Sequence, residues 1–100
     1  MKYKLNTSEY QCLIEACRRY SRFHSGKSIL EVWTGLGAKT GYLQAWNNGY
    51  MVPFSGPVKY CMSWWILTKK GAEIVRYWLQ LGFDYKKIEC GPLPPRIKLN

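Results

Sequence analysis

The sequence predicts a small α+β domain with three N-terminal helices, a β-hairpin, a C-terminal helix and an extended tail. Apolar residues recur at helical spacing in 7–48 and in 69–81, whereas 50–67 is rich in strand formers. The chain has 100 residues, 47% of them hydrophobic, so it can build one core but not separate cofactor and substrate lobes. Prolines crowd the last ten residues, where they exclude helix. We therefore expect one domain over 1–90 and a Pro-rich tail over 91–100.

The first two helices begin at capping signals. Asn6 and Glu9 form a capping-box pattern before an apolar stripe, which predicts a helix over 7–23. Ser28 opens a second signature of the same kind, which predicts a short helix over 28–35. Glycines at the end of this segment are expected to stop the second helix.

The third helix is predicted over 39–48, where Asn48 and the glycine after it form a stop signal. On a helical projection, Tyr42, Leu43 and Trp46 share an apolar arc, which we expect to face the core. The opposite arc is polar and uncharged, and it consists of Thr40, Gln44, Asn47 and Asn48.

The hairpin is predicted by a change of period after the third helix. The segments 50–54 and 58–67 are rich in β-branched and aromatic residues, and a Ser-Gly-Pro turn at 55–57 lies between them. Because Pro53 has no backbone donor, the first strand is expected at a sheet edge.

The last helix is predicted over 69–81, with Thr68 as its N-cap and Gly82 as its stop. A further short strand is predicted over 83–90. The apolar stripes of all elements together predict a mostly buried core of Leu13, Ile14, Cys17, Leu30, Trp33, Leu43, Trp46, Leu67, Ile74 and Trp78.

Two local patterns lie at the junctions around the hairpin. The third helix ends in an apolar residue, Asn-Gly and an aromatic–apolar pair at 46–51, and the second strand passes into the last helix through Leu-Thr-Lys-Lys-Gly at 67–71. In order and spacing, these patterns resemble the junctions of recognition helix, wing and last helix in the winged helix-turn-helix family. The resemblance covers about 7–82, and it implies a winged helix-turn-helix fold like that of many small bacterial and phage regulators.

Positive charge dominates the composition. Fifteen Lys and Arg residues stand against six Asp and Glu residues, which gives a net charge of +9. The segment 32–72 holds four lysines and no carboxylate, so nothing in it repels a phosphate. This excess favours a polyanionic partner, with nucleic acid first among the candidates.

If the third helix reads DNA, its polar arc faces the bases and nearby lysines contact the phosphates. Gln44 and Asn47 suit adenine edges, and Thr40 can join them. Phosphate contacts are predicted at Lys27, Lys39, Lys59, Lys69 and Lys70. The sequence therefore predicts a small basic protein that binds double-stranded DNA, as a transcriptional regulator or an accessory factor.

A protein-interaction module of the same fold is the alternative. Such a module would be an adaptor, or a phage or mobile-element inhibitor of a nucleic-acid-handling complex. Trp64 and Trp65 are adjacent, so strand alternation sends one of them away from the core, and Trp64 is the predicted partner-binding residue. A homodimer is compatible with the sequence.

Other function classes find little support. The four cysteines form no C-x-x-C pair and there is one histidine, so no metal site is predicted. Carboxylates are scarce and form no recognisable constellation, so neither an enzyme nor a cofactor is expected. No apolar stretch reaches the roughly 18 residues of a membrane span, and no apolar leader follows Met1, so we expect no membrane partner and a cytoplasmic location.

Overall fold

The computed structural model describes residues 2–35, 42–53 and 64–99. In these residues the helices are α1 (Thr7–Phe23), α2 (Tyr42–Asn47), α3 (Lys69–Gln80) and α4 (Tyr85–Glu89). The strands are β1 (Lys2–Lys4), β2 (Trp33–Gly35), β3 (Met51–Pro53), β4 (Trp64–Leu67) and β5 (Ile97–Leu99). The α+β class that the sequence predicts is confirmed.

The capping box fixes the start of α1, as predicted. Asn6 Oδ1 accepts a hydrogen bond from the backbone N–H of Glu9 at 2.8 Å, and Glu9 Oε1 accepts from the backbone N–H of Asn6 at 2.9 Å. These two bonds satisfy donors that the first helical turn leaves without partners. The helix then runs to Phe23, which is the predicted extent.

The second helix predicted over 28–35 is wrong. Ser28 does act as a cap, but the turn it opens is a 3₁₀ turn over Ile29–Glu31, and the chain then enters β2. The residues of β2 include an aromatic and a β-branched side chain, and β4 offers them a pairing edge. Strand pairing therefore overrides the local helix signal.

The predicted hairpin is present, and it forms part of a three-stranded antiparallel sheet of order β2-β4-β3. Val52 of β3 and Thr34 of β2 lie opposite Ile66 and Trp65 of β4, respectively. The central strand is thus β4, and Pro53 lies on an edge strand, where its missing donor costs no ladder hydrogen bond. The predicted turn at 55–57 lies outside the described residues.

The last long helix agrees with its prediction, but the strand predicted over 83–90 is wrong. Thr68 caps α3, and its Oγ1 accepts from the backbone N–H of Gly71 at 3.2 Å. After Gly82 the chain forms the short helix α4 instead of a strand. Asp84 caps α4 by accepting from the backbone N–H of Lys87 at 3.0 Å, and Ile88 is buried.

The two ends of the described chain meet in a second sheet. Strand β1 pairs antiparallel with β5, so the extended tail ends in a strand that the sequence analysis does not predict. The prolines before it also contact the domain. Trp78 Nε1 donates to the carbonyl oxygen of Pro95 at 2.9 Å, and the Tyr10 hydroxyl donates to that of Pro94.

The core lies between α1, α3 and the three-stranded sheet. Five of the predicted core residues are buried, namely Leu13, Cys17, Leu67, Ile74 and Trp78. Ile14 and Leu30 pack against this core but are only partly buried. Trp46 is 46% exposed, so its prediction is wrong. The side chains of Trp33 and Leu43 lie outside the described part of the chain.

Candidate nucleic-acid interface

The C-terminus of α2 is closed by a Schellman motif. The backbone N–H of Tyr50 donates to the carbonyl oxygen of Ala45 at 2.8 Å, and that of Gly49 donates to Trp46 at 3.0 Å. Gly49 has a φ of +80°, in the left-handed region that favours glycine. The Asn-Gly stop signal therefore turns the chain directly from α2 into β3.

Two amide side chains tie α2 to the start of α1. Asn6 Nδ2 donates to Gln44 Oε1 at 2.8 Å, and Asn48 Nδ2 donates to Glu9 Oε2 at 2.5 Å. The residues that cap α1 thus also hold the neighbouring helix. The sequence shows the capping box itself. The hydrogen bonds of the same two residues to α2 join positions 38 and 39 apart, so no local sequence pattern predicts them.

The outer face of α2 is polar and exposed. The side chains of Gln44, Asn47 and Asn48 are all exposed, and Ala45 is fully buried. Thr40 belongs to 36–41, which lie outside the described residues. The described residues therefore place both of the amides predicted to read adenine at the surface.

The predicted phosphate-binding lysines Lys69 and Lys70 begin α3, next to the end of α2. Lys70 Nζ donates to the carbonyl oxygen of Asn48 at 2.8 Å and lies 4.4 Å from the ring centre of Tyr50. A cation at this position interacts favourably with the negative end of the α2 dipole. Lys69 is exposed on the same first turn of α3.

Close backbone contact sets the position of α3 against β3. A Cβ built on Gly71 would lie 2.1 Å from the carbonyl oxygen of Tyr50. The same carbonyl accepts from the backbone N–H of Thr68 at 3.1 Å. Glycine is required here because no side chain fits between the helix and the strand.

Of the remaining predicted lysines, Lys27 lies away from this face. Lys27 is exposed in the turn after α1, where its backbone N–H donates to His24 and its carbonyl accepts from Tyr20. The 17 residues of α1 separate it from the end that contacts α2, a distance of about 25 Å along the helix. Lys39 and Lys59 lie outside the described residues.

The position of Trp46 differs from the prediction, whereas Trp78 is buried as predicted. Trp65 is 3% exposed, and the ring of Trp46 meets it edge-on, with 5.6 Å between ring centres. Ala45 is fully buried, whereas its neighbour Trp46 is turned toward solvent. Trp64, the predicted partner-binding residue, is partly buried, and the guanidinium of Arg19 lies 5.6 Å from its ring.

The described residues hold no cluster suited to a metal ion, and the Cys17 thiol is buried. No group of three His, Cys, Asp or Glu side chains among them is placed to hold a metal. Burial, and secondly the charge of Asp84, raise the pKa of the Cys17 thiol to about 12, so it stays protonated at neutral pH. Cys17 Sγ donates to the carbonyl oxygen of Phe83 at 3.4 Å.

None of the helices in 2–35, 42–53 and 64–99 is both long and apolar enough to cross a bilayer. No protein-family model, curated protein or solved structure matches this chain.

Proposed function

We propose that the protein binds duplex DNA as a small regulator or accessory factor with a winged helix-turn-helix fold. The observation that carries the proposal is the exposed amide face of α2 beside the lysines that begin α3. Amide side chains suit adenine edges in the major groove, and lysines suit the flanking phosphates. A helix that enters the first strand of a hairpin, followed by a last helix, is also the chain order that the resemblance implies.

Within this face, Asn47 and Gln44 have different roles. Asn47 is exposed at the end of α2 and is the first candidate for base contact. A bidentate contact of Gln44 with adenine uses Oε1, which already accepts from Asn6. Asn6 therefore orients Gln44 on this face. Asn6→Ala also removes the N-cap of α1, so it is expected to change sequence preference and to lower the free energy of unfolding by about 1 kcal/mol.

The net charge supports the same partner. A charge of +9 on 100 residues attracts polyanions through counterion release, independently of sequence. Exposed Glu73 lies one turn along α3 from Lys69 and Lys70, so phosphate contacts fall on the first turn of that helix.

We propose a binding protein without enzymatic activity or cofactor. Its buried thiols Cys12 and Cys17 suit a reducing cytoplasm.

The test is a salt series of binding to random duplex DNA. We expect Lys69→Ala to lower the slope of log affinity against log salt by about one unit, because one phosphate contact is lost. Lys86→Ala on α4 removes the same charge from a different part of the surface and is the matched control. Duplex binding that is undetectable at low salt, or equal slopes for both variants, would contradict the proposal.

The exposed ring of Trp46 favours a second candidate function, which is binding of a protein partner or a second copy of the chain. A half-exposed tryptophan is a common interface anchor, and Trp46 is better placed for this role than Trp64. Sedimentation of the wild type and of Trp46→Ala tests the homodimer directly. A dimer that dissociates in the variant, together with no duplex binding, would favour this candidate.

A further inference from the structure

An exposed aromatic ring and two arginines lie at the C-terminal end of α1. Phe23, the last residue of the helix, is 58% exposed. The guanidinium carbons of Arg19 and Arg22 lie 5.5 Å and 5.2 Å from the centre of its ring. We call Arg19, Arg22 and Phe23 the α1 C-terminal patch.

Neighbouring groups hold both arginines in place. Arg19 also lies 5.6 Å from the ring centre of Trp64, and Arg22 lies 5.7 Å from that of Tyr85. Arg22 Nη1 forms an ion pair with Glu89 at 3.2 Å. Each guanidinium group is thus oriented by an aromatic ring before any ligand arrives, which lowers the entropy cost of binding.

The surroundings of the patch are positive. Residues 15–27 and 84–89 carry six basic and three acidic side chains. The acids are engaged within the fold: Glu15 and Glu89 pair with arginines, and Asp84 caps α4. Burial lowers the pKa of His24, and the positive charges of Lys27 and Arg19 lower it further, as expected in a cationic environment.

We infer that the α1 C-terminal patch binds single-stranded nucleic acid, with an unpaired base stacked on Phe23 and the flanking phosphates on Arg19 and Arg22. Base–aromatic stacking beside cationic groups is the common mode of single-strand binding, because every base has a π-face. A duplex offers the same phosphates but keeps its base faces stacked, so it leaves Phe23 without a partner. The inference does not depend on the proposed duplex binding, since that face lies at the other end of α1.

The experiment compares an oligothymidylate of about twelve nucleotides with an abasic strand of the same length, at low salt. The wild type is expected to bind the oligothymidylate more tightly. Phe23→Ala is expected to weaken that binding by about 5- to 150-fold, the loss of one base–aromatic stack, and to leave the abasic strand unaffected. Phe23→Tyr keeps a ring and is expected to keep the affinity.

Two controls keep the test specific. Leu93→Ala removes an apolar side chain of similar exposure from the tail and is expected to change nothing. Lys69→Ala is the variant designed for the duplex face. It is expected to lower the affinity for oligothymidylate by no more than the loss of one positive charge does at the same salt concentration. Because Phe23 is exposed, its variants should melt like the wild type, which a thermal scan verifies.

Three results would overturn the inference. Equal affinity of the wild type for the oligothymidylate and the abasic strand, with no loss of oligothymidylate binding in Phe23→Ala, would show that the patch responds to charge alone. Binding of an acidic peptide that depends on Phe23, without single-strand binding, would assign the patch to a protein partner. Loss of thymidylate binding in Lys69→Ala as severe as in Phe23→Ala would place the single strand on the duplex face. Failure of duplex binding with thymidylate binding intact would refute the proposed function and leave this inference standing.

Discussion

The two ends of α1 are each tied to a neighbouring helix by a carboxylate, but in different surroundings. At the N-terminal end, Glu9 is 5% exposed and accepts a hydrogen bond from the side chain of Asn48 on the α2 side. At the C-terminal end, the side chain of Glu89 is 41% exposed and pairs with Arg18 and Arg22 at 3.3 Å and 3.2 Å. The first link is a buried hydrogen bond to a neutral donor, and the second is an ion pair in water.

The two links therefore differ in function: the first fixes the position of α2, and the second can be exchanged for another ion pair. A buried acceptor that loses its donor stays desolvated, so the first link holds α2 in one position. Exposed ion pairs contribute little to stability, so the second link can exchange one anion for another at small cost. The N-terminal link therefore fixes the local structure, and the C-terminal link can be exchanged, as the proposed single-strand binding requires.

The largest expected effect comes from the contact that sets the N-terminal face. Replacement of a glycine inside a helix by alanine normally raises the free energy of unfolding by up to about 1 kcal/mol. At Gly71 the added methyl would lie 2.1 Å from the carbonyl oxygen of Tyr50, so we expect Gly71→Ala to destabilise the fold by about 2–3 kcal/mol. Urea denaturation measures the change. Gly26→Ala, where no atom lies within 4 Å of the added Cβ, is the control and should be near neutral.

Glu9→Ala tests the buried link itself. It removes the acceptor of the Asn6 backbone N–H and of Asn48 Nδ2, so we expect a loss of about 2 kcal/mol in the free energy of unfolding. A double-mutant cycle with Asn48→Ala should show a coupling of at least about 0.5 kcal/mol. Additive losses in that cycle would mean that the two side chains do not interact in solution. Exposed Glu31→Ala is the control for loss of a negative charge.

Trp46→Ala is expected to have a smaller effect than its residue type suggests. Truncation of a buried tryptophan costs roughly 3–5 kcal/mol, the value expected for Trp78. Trp46 is half exposed and keeps mainly its edge contact with Trp65, so we expect about 1–2 kcal/mol. Thermal unfolding of Trp46→Ala and Trp78→Ala compares the two losses of stability. Equal losses would mean that Trp46 is buried in solution.

The smallest effect is expected at the C-terminal end. Glu89→Ala removes both exposed ion pairs and should cost at most about 1 kcal/mol, with less effect in high salt. Chemical denaturation in urea at low and high ionic strength measures this. A loss as large as that of Glu9→Ala would remove the contrast between the two ends.

The sequence predicts those elements whose signals are local. The caps at Asn6 and Thr68 and the stop at Gly49 act within a few residues, so α1, α3 and the end of α2 follow from them. The segment 28–35 also carries a local cap, but β4 lies about 30 residues further on and draws the chain into a sheet. Pairing at that separation leaves no mark on local periodicity.

Local and long-range contacts also differ in the candidate site. The polar arc of α2 places Gln44 and Asn47 at the surface, as helical geometry requires. The burial of Ala45 and the exposure of its neighbour Trp46 depend on the elements packed around α2, and residue hydrophobicity points the other way. Arg19 and Phe23 are neighbours on one helix face, as local geometry predicts, but the contact of Arg19 with Trp64 depends on a strand 41 positions away from Phe23.

The pairing of β1 with β5 has a consequence for the order of folding. Lys2 lies opposite Leu99, so the first described strand pairs with the last described strand. During translation β1 stays without its partner until 97–99 have left the ribosome, while the signals that form α1 and the three-stranded sheet are already present. Closing a loop of more than 90 residues carries a large entropy cost, so this ribbon is expected to form after the core. Until then Trp78 lacks the cover of the tail and the nascent core stays open on that side.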